Sequence, residues 1–334
     1  MTELLAVENL CVEYPSPRGV VRAVDGVSFD IRKGEIFGLA GESGCGKSTT
    51  AYAISRLLRS PARLAGGSVR LGGTELTALS DAEFDRLRWS RISIVLQSAM
   101  NNLNPVMKIS AQLTDAILAH KEIDPKAALR EAEALMELVD LPKERLNAYP
   151  HELSGGMRQR VVIAMAVALR PDLLIMDEPT TALDVVVQAG IVKKIMELQR
   201  AFGFSILFIT HDLPLMLEMC DRIGIMYAGR LVEVGDRSRI LHRPSHPYTR
   251  GLLDSFPSVS GPKRRLLGIP GNPPDLIRPP AGCRFQPRCR DALPQCALRE
   301  PPVVRLGNGL IACHIYSEEA ESHEQTAAAS EAGY

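Results

Sequence analysis

Hydrophobic and polar residues alternate along the first part of the chain. From residue 4 to about residue 40 this period-two pattern is interrupted by the turn-forming stretches PSPRG and RKGE. Alternation bounded by such turns predicts β-strands joined in hairpins. The mostly apolar run EIFGLAG at 35–41 predicts a short buried strand, and KSTTAYAISRLL at 47–58 has apolar positions at helical spacing. A glycine-rich loop therefore joins a strand to a helix.

The middle of the chain changes to helical periodicity. From DPKAALREAEALMELVDL at 124–141 to residue 170 the pattern is mostly helical, which predicts a helical subdomain inserted in an α/β body. Two apolar strand candidates follow, at 172–177 and 205–210, and a helix is predicted between them at 185–202. A strand, a helix and a second strand in this order are typical of a parallel crossover.

Composition shifts near residue 244. Eleven of the 23 prolines lie between 257 and 302, and four of the seven cysteines lie between 283 and 313. This predicts a small, loop-rich extension after the α/β body. The stretch 317–334 is acidic and poor in apolar residues, so we predict that it is disordered.

Size and charge limit the classes of protein to consider. The 334 residues are enough for about two domains. Lys plus Arg and Asp plus Glu number 39 each, so no charge excess calls for nucleic acid as the main ligand. No secretory signal is recognisable, and the longest apolar runs are too short to span a membrane. We expect a cytosolic location with reduced cysteines, which favours metal binding over disulfides for any cysteine cluster.

Residues Gly41 to Ser48 match the phosphate-loop pattern G-x-x-x-x-G-K-[ST], in the required position between a strand and a helix. Glycines let backbone N–H groups approach phosphates closely, and a helix N-terminus favours negative charge. Lys47 is expected to reach the β and γ phosphates, and Ser48 to ligate Mg²⁺. A chance glycine turn is the alternative. The predicted nucleotide contacts of this loop are Gly41, Glu42, Ser43, Gly44, Cys45, Gly46, Lys47, Ser48 and Thr49.

Two further strand ends carry candidate chemistry. The stretch DLLIMDEP delivers Asp177 and Glu178 to the end of a buried strand, where ligands bind in open α/β sheets. Asp177 suits a Mg²⁺ ligand, and Glu178 suits a base that polarises water. His211 follows the strand ILFIT and is placed to contact a γ-phosphate. A solvated turn for the carboxylates and a structural role for the histidine are the alternatives.

A second candidate anion site begins at LSGGMRQR, residues 153–160. A Ser-Gly-Gly turn there opens a predicted helix, and its N-terminus is suited to bind an anion. Because the phosphate loop already supplies one complete phosphate-binding site, the second anion site requires another explanation.

These motifs, in this order, resemble the ATP-binding subunits of ATP-binding-cassette (ABC) transporters. The resemblance covers about 230 residues and implies a P-loop NTPase (RecA-like) core that binds ATP and Mg²⁺, with an antiparallel β subdomain and an inserted helical subdomain. It also implies a second ATPase subunit. LSGGMRQR at 153–160 corresponds to the signature motif of the family, and its residues are implied to contact the nucleotide that is bound to the second subunit. The roles that it implies are adenine stacking for Tyr14, Mg²⁺ environment and catalysis for Gln97, partner-nucleotide contacts for Ser154, Gly155 and Gly156, and a nucleotide-site position for Asp184. For Tyr14, a partly buried strand tyrosine is the alternative.

The resemblance narrows to the oligopeptide and dipeptide importers. RAVDGVSFDIRKGE, NLNPVMKI, HPYTRGLL and GCRFQPRC are similar to that group. It implies a peripheral position on the cytoplasmic face of the membrane, with two transmembrane permease subunits and an extracytoplasmic solute-binding protein. It also favours a 4Fe-4S cluster at four cysteines: Cys283, Cys289, Cys296 and Cys313. The alternatives are Zn²⁺ at the same cysteines, or four thiols without metal in an extension that is held by packing.

The predicted boundaries follow from these observations. The ATPase domain is placed at 1–245 with its helical subdomain at about 98–160, the cysteine-containing extension at 246–316 and the tail at 317–334.

One departure from the family pattern is QSAMNNLNPV, which begins at Gln97, where an acidic residue and a proline usually follow the glutamine. Related machinery also imports oligosaccharides or nickel, and these remain alternative substrates. A soluble ABC ATPase that acts on nucleic acid is disfavoured by the zero net charge.

Overall fold

The computed structural model describes residues 2–97, 99–181, 183–255 and 268–317. The predicted tail at 317–334 lies almost entirely outside these residues. The β-strands of the described chain are β1 (Glu3–Ser16), β2 (Gly19–Arg32), β3 (Ile36–Ala40), β4 (Arg63–Leu71), β5 (Thr74–Glu75), β6 (Ile92–Val95), β7 (Leu173–Asp177), β8 (Ser205–Ile209), β9 (Arg222–Tyr227), β10 (Arg230–Asp236), β11 (Val303–Leu306) and β12 (Gly309–Ala312).

The α-helices of the same ranges are α1 (Lys47–Ile54), α2 (Asp81–Leu87), α3 (Ile109–Leu118), α4 (Pro125–Leu138), α5 (Gly155–Val167), α6 (Val185–Phe202), α7 (Leu213–Met219), α8 (Arg237–His242) and α9 (Pro247–Asp254). Short 3₁₀ helices span Ala99–Asn102, Lys143–Asn147, Pro150–Glu152, Gln286–Arg288 and Pro294–Ala297. In the part of the chain that is described, no helix has the length and apolar character needed to cross a membrane.

The chain folds as two compact units built from interleaved segments. The first unit lies within Met1–Ala6, Asp30–Ile36 and Val69–Thr210. The second unit lies within Val7–Phe29, Phe37–Ser68 and His211–Tyr334. The predicted domain boundaries are not tested by this division, and they stay predictions.

Parallel strands form the centre of the first unit. Strand β7 lies between β6 and β8 and is parallel to both. Helix α6 connects β7 to β8, which confirms the crossover predicted from the apolar runs. Every residue of β7 and β8 is buried. Continuous apolar strands are expected where a parallel sheet is covered on both faces.

Helices α3, α4 and α5 contact one another in the same unit. Helices α4 and α5 lie within the stretch 124–170, whose periodicity predicted helices. Helix α4 begins where Asp124 accepts hydrogen bonds from the N–H groups of Lys126 and Ala127. Pro125 occupies its first turn. An N-cap acceptor followed by proline is a strong helix start, since it satisfies backbone donors that have no partner inside the helix.

The second unit contains a mixed set of strands in the order β11-β12-β10-β9-β3. Strand β3 is parallel to β9, whereas the β9–β10, β10–β12 and β11–β12 pairs are antiparallel. We call residues 268–317 the C-terminal segment. Because β11 and β12 extend this set of strands, the segment belongs to the same unit as the glycine-rich loop.

Helix α1 is shorter than the sequence predicted. The apolar spacing predicted a helix over 47–58, but α1 ends at Ile54. Arg56 adopts a left-handed backbone with φ 51°, and the N–H of Leu57 donates to the carbonyl of Tyr52. This hydrogen-bond pattern ends a helix, and it is normally associated with glycine rather than arginine.

An aromatic cluster forms part of the core of the second unit. The ring centroid of Tyr227 lies 4.6 Å from that of Tyr248 and 5.2 Å from that of Phe285. The ring of His246 lies 5.9 Å from Phe285. Offset and edge-on contacts at these distances stabilise aromatic pairs beyond simple burial. The cluster therefore joins α9, β9 and the C-terminal segment.

His246 is the member of this cluster whose ordinary pKa lies closest to neutral pH, and it is 1% exposed. Its Nδ1 accepts a hydrogen bond from the N–H of Tyr248 at 3.0 Å. Burial, together with the positive charge of Arg250, lowers the pKa of His246 to about 3. The imidazole is therefore neutral in the folded protein at neutral pH.

We predict that His246 makes the protein less stable in weak acid. In the unfolded chain His246 binds a proton below its ordinary pKa of about 6.5, whereas in the folded chain it stays neutral down to about pH 3. Between these two pH values the free energy of unfolding therefore falls by up to ~1.4 kcal/mol per pH unit as the pH decreases. His246→Asn keeps an acceptor for the N–H of Tyr248 but does not titrate. Urea unfolding from pH 7 to pH 4 should show a steeper loss of stability in the wild type than in this variant. Parallel pH dependences would contradict the assignment.

Candidate phosphate-binding site

The predicted phosphate loop connects β3 to α1 in the second unit. Gly44 and Gly46 have left-handed backbones with φ of 78° and 107°. A Cβ added at Gly46 would lie 2.3 Å from the carbonyl oxygen of Ala23, so no larger residue fits there. The loop therefore closes tightly before the first turn of α1, where unpaired N–H groups favour an anion.

Lys47 is buried and folds back over the loop that precedes it. Its Nζ donates to the carbonyl of Gly41 at 2.8 Å and to the carbonyl of Glu42 at 3.0 Å. Lys47 as a whole is 7% exposed, and its ammonium is held by backbone acceptors. A cation fixed in this way beside a helix N-terminus forms a compact positive site suited to phosphate.

Glu42 is held by two residues that the sequence analysis did not connect with the loop. Its carboxylate pairs with Arg288 at 2.7 Å, and its N–H donates to the hydroxyl of Tyr248 at 2.9 Å. The hydrogen bonds to Glu42 raise the pKa of Arg288 above its usual range. Both partners lie in stretches quoted for their family resemblance, HPYTRGLL and GCRFQPRC, but no spacing in the sequence indicates that they meet residue 42.

Tyr14 lies beside the first turn of α1. Its hydroxyl and the hydroxyl of Thr49 are 3.4 Å apart, and its side chain is half-buried. The structure thus places the tyrosine next to the predicted loop. Adenine stacking by this residue stays a prediction.

Asp177 and Glu178 follow the parallel strands of the first unit. Asp177 is fully buried at the end of β7, in register with Ile209 of β8. Glu178 has a left-handed backbone with φ 52°, its N–H donates to the carbonyl of Ile209, and its carboxylate accepts from the hydroxyl of Thr181 at 3.0 Å. A left-handed backbone costs a residue other than glycine about 1–2 kcal/mol. Such strain is characteristic of functional positions held by their surroundings.

Gln97 and His211 follow other strands. Gln97 is exposed two residues beyond β6, and the carboxyl ends of β6 and β7 lie at one edge of the first unit's sheet. Within this unit the structure therefore brings the predicted glutamine and carboxylates to the same edge. His211, in the second unit, is exposed in the turn after β8.

The signature turn and Asp184 lie at two neighbouring helix starts. Ser154 caps α5 by accepting from the N–H of Met157 at 3.3 Å, and Asp184 caps α6 by accepting from the N–H of Val187 at 2.9 Å. A Cβ added at Gly156 would lie 2.6 Å from Cγ1 of Val187, so glycine permits the close approach of the two helices. The structure brings the signature residues and Asp184 together.

The prediction of an iron–sulfur cluster was wrong, and the zinc alternative finds no support either. Within the described residues, which include all four candidate cysteines, no group of three or more His, Cys, Asp and Glu side chains is arranged to hold a metal ion. The cysteines concerned are Cys283, Cys289, Cys296 and Cys313.

The four cysteines are half-buried or buried. Burial raises the pKa of Cys283, and it raises the pKa values of Cys289 and Cys313 to about 11. Burial therefore favours the protonated thiol over the thiolate at these positions. Chain spacing alone did not reveal this environment.

Comparison with known proteins identifies the class. The family model described as ABC transporter matches residues 24–181, and the model described as oligopeptide/dipeptide transporter, C-terminal region, matches residues 232–296. The dimeric ATP-binding cassette MJ0796, solved in a post-hydrolysis state with ADP and phosphate, is 25% identical with a TM-score of 0.63, covering 70% of this chain and 99% of that one. CbiO1 of Clostridium perfringens, part of an ABC transporter complex, is 26% identical with the same TM-score, covering 73% and 92%. The protein is thus an ATP-hydrolysing cassette of the ABC transporter class.

Closer relatives define the family within that class. The oligopeptide transport ATP-binding protein OppD of Haemophilus influenzae is 46% identical over 300 residues, covering 89% of this chain and 93% of its own length. The dipeptide transport ATP-binding protein DppD of Bacillus subtilis is 44% identical over 325 residues, covering 96% and 97%. The chain belongs to the family of oligopeptide and dipeptide transport ATP-binding proteins.

The contrast between Gly46 and Gly44 gives a test of the loop geometry. Gly46→Ala should lower the free energy of unfolding by more than about 2 kcal/mol, because its methyl group would meet backbone atoms that cannot move cheaply. Gly44→Ala should cost only about 1–2 kcal/mol, since a Cβ there meets nothing within 4 Å and the cost is the left-handed backbone alone. Urea unfolding without nucleotide measures both. Equal losses in the two variants would show that the loop conformation described here is wrong.

Proposed function

We propose that this protein is the ATP-hydrolysing subunit that powers uptake of dipeptides or oligopeptides across the cytoplasmic membrane. The observation that carries the proposal is its 46% identity, over nearly the whole length of both chains, to an oligopeptide transport ATP-binding protein. The match of residues 232–296 to the C-terminal region of oligopeptide/dipeptide transporters supports the same substrate class.

The proposed assembly contains partners besides this chain. It comprises two transmembrane permease subunits, an extracytoplasmic solute-binding protein and a second ATPase subunit, with this chain on the cytoplasmic face. The second ATPase is either a homologous chain or another copy. The finer division of the chain is also part of the proposal: an antiparallel β subdomain, an inserted helical subdomain and a C-terminal extension that contains four cysteines.

Nucleotide phosphates are proposed to bind at the loop 41–48. Its backbone donors and the ammonium of Lys47 would hold the β and γ phosphates, and Thr49 would lie at the first turn of α1 beside them. Tyr14 would stack on adenine, for which its position next to Thr49 is the supporting observation.

The donor set fits a magnesium ion. Mg²⁺ prefers oxygen ligands and is commonly bound through one or two protein groups together with substrate phosphates. Ser48 would supply a hydroxyl, Asp177 a carboxylate and Gln97 an amide oxygen. When bound, Mg²⁺ would neutralise the negative charge of the phosphates.

Hydrolysis at this site is proposed to depend on positioning rather than covalent catalysis. Glu178 would accept a hydrogen bond from the attacking water and orient it. Its strained backbone and the hydrogen bond from Thr181 hold its carboxylate in place, which supports this role. His211 would contact the γ-phosphate.

The second anion site is proposed to act on the partner's nucleotide. Ser154, Gly155 and Gly156 open a helix of 13 residues, whose N-terminus carries partial positive charge. Asp184 lies at the adjacent helix start, and both would face the partner subunit. ATP would then be enclosed between two cassettes, and ADP and phosphate would be released once hydrolysis separates them.

Substrate-stimulated ATP hydrolysis tests the transport function. The full-length chain, extracted in detergent from native membranes, should co-purify with hydrophobic membrane subunits. In proteoliposomes of this complex with its solute-binding protein, short peptides should raise the rate of ATP hydrolysis several-fold and should accumulate on the other side of the bilayer. Maltotriose and Ni²⁺ serve as controls. Stimulation by either control and not by peptides would overturn the proposed substrate class.

Replacing Glu178 tests the proposed chemistry. Glu178→Gln keeps the size of the side chain but replaces one acceptor oxygen with an NH₂ donor and removes the negative charge, so hydrolysis should fall at least about 100-fold while ATP affinity is retained. Glu137→Gln, an exposed change on α4 of the same unit, is the matched control and should retain the wild-type rate. Turnover of Glu178→Gln at the rate of this control would exclude Glu178 from the chemical step.

A further inference from the structure

Two arginines of the C-terminal segment are buried in the unit that contains the phosphate loop. Arg284 and Arg288 are 6% and 8% exposed, and Phe285 between them packs into the aromatic cluster with Tyr227 and Tyr248. A buried charge is costly unless it is fully paired. The partners of these arginines therefore show what the segment holds in place.

Arg288 uses all five of its N–H donors. Its guanidinium forms a two-pronged ion pair with the carboxylate of Glu42, at 2.7 and 2.9 Å. The remaining donors reach the hydroxyl of Tyr227 at 3.3 Å, the carbonyl of Pro270 at 2.8 Å and the carbonyl of Ile269 at 3.4 Å. A planar fork satisfied in this way fixes both distance and angle. Arg288 thus joins the loop, the end of β9 and the C-terminal segment.

Glu42 passes this restraint to the cation of the loop. Its N–H donates to Tyr248, whose side chain is fully buried, and its carbonyl accepts from Nζ of Lys47 at 3.0 Å. The same residue is therefore held on its side chain and its backbone by groups that follow residue 245, and it in turn holds Lys47. A shift of Glu42 would move one of the two carbonyl acceptors of that ammonium.

Arg284 restrains the middle of the loop through a different path. Its guanidinium binds the carboxylate of Asp25 and the carbonyl of Ala228. The next residue, Gly229, donates its N–H to the carbonyl of Cys45 at 2.9 Å and accepts from the N–H of Asp25 at 2.9 Å. The β9–β10 turn is thus held between Arg284 and the loop.

We propose that Arg284 and Arg288 are positioning residues for the phosphate loop, so that nucleotide binding at the loop and packing of the C-terminal segment stabilise each other. The proposal rests on the proposed binding of nucleotide phosphates at residues 41–48. Coupling between two sites is reciprocal: if the segment raises the affinity for nucleotide, nucleotide stabilises the segment by the same factor. The C-terminal segment is then a working part of the ATP site as well as a part of the fold.

Hydrogen exchange in the nucleotide-free, full-length protein tests the restraint by itself. Arg288→Gln removes the ion pair, so the amides of Glu42 and Cys45 should exchange about tenfold faster than in the wild type, as expected for loss of a charge-assisted hydrogen bond. Arg290→Gln changes the same charge two residues away on an exposed side chain and should leave these amides unchanged. Equal protection of the loop in wild type and Arg288→Gln would overturn the proposal.

Calorimetric titration with Mg-ADP tests the coupling. Arg288→Gln should weaken binding about tenfold, with Glu42→Gln similar and the double variant no weaker than either single one, because the two side chains act as a pair. In steady-state kinetics the KM for ATP should rise while kcat changes little. Arg288→Lys keeps the charge but cannot form the fork, and it should fall between wild type and Arg288→Gln.

The reverse direction is measured on the C-terminal segment. Saturating Mg-ADP should slow amide exchange of residues 283–290 in the wild type and have a smaller effect in Arg288→Gln. Glu42→Gln covers the case in which Arg288→Gln fails to fold, since it removes the same pair from the more exposed side. Unchanged ADP affinity and exchange in folded variants would overturn the coupling, whereas a wild type that binds no nucleotide would instead overturn the proposed function.

Discussion

The closed conformation of the phosphate loop is the constraint on which the rest of this structure depends. A loop that binds phosphates must expose backbone N–H groups and hold a cation in place. Its own backbone is not held by the regular hydrogen bonds of a helix or a strand. Here glycine at position 46 lets the backbone of the loop lie close to the Ala23 carbonyl, and the ammonium of Lys47 donates to the carbonyls of Gly41 and Glu42. The surrounding elements of the same unit, β3, α1, the β9–β10 turn and the C-terminal segment, each contribute a contact to this short stretch.

The remaining candidate chemistry is placed by a second general feature, the polarity of parallel strands. In the first unit β6, β7 and β8 end at one edge, so Gln97, Asp177 and Glu178 are collected there although their strands are far apart in sequence. Two capped helices, α5 and α6, bring their N-termini together at Gly156. Each feature follows from fold geometry, and each gives a place where an anion or its counter-ion is favoured.

Much of this arrangement is predictable from the sequence because its signals are local. The strand, loop and helix around residues 35–54, the crossover from β7 to β8 and the capped start at Ser154 all lie within short stretches with clear periodicity or cap residues. The end of α1 was predicted at the wrong residue because Arg56 adopts a left-handed backbone, which an arginine in the sequence does not indicate. The contacts of Arg288 and Tyr248 with Glu42 were missed because more than 200 residues separate the partners. The metal prediction failed for a related reason: cysteine spacing does not report whether the side chains are arranged in the fold to hold a metal ion.

The most direct test of the account is the affinity of the full-length protein for Mg-ADP with and without the loop cation. Lys47→Ala removes the ammonium and leaves the glycines, the ion pair at Glu42 and the strand-end carboxylates in place. Calorimetry should show that affinity falls at least about tenfold, as expected when charge-assisted hydrogen bonds to phosphate are lost. Binding of Mg-ADP with wild-type affinity by this variant would contradict the claim that the loop at 41–48 holds the nucleotide.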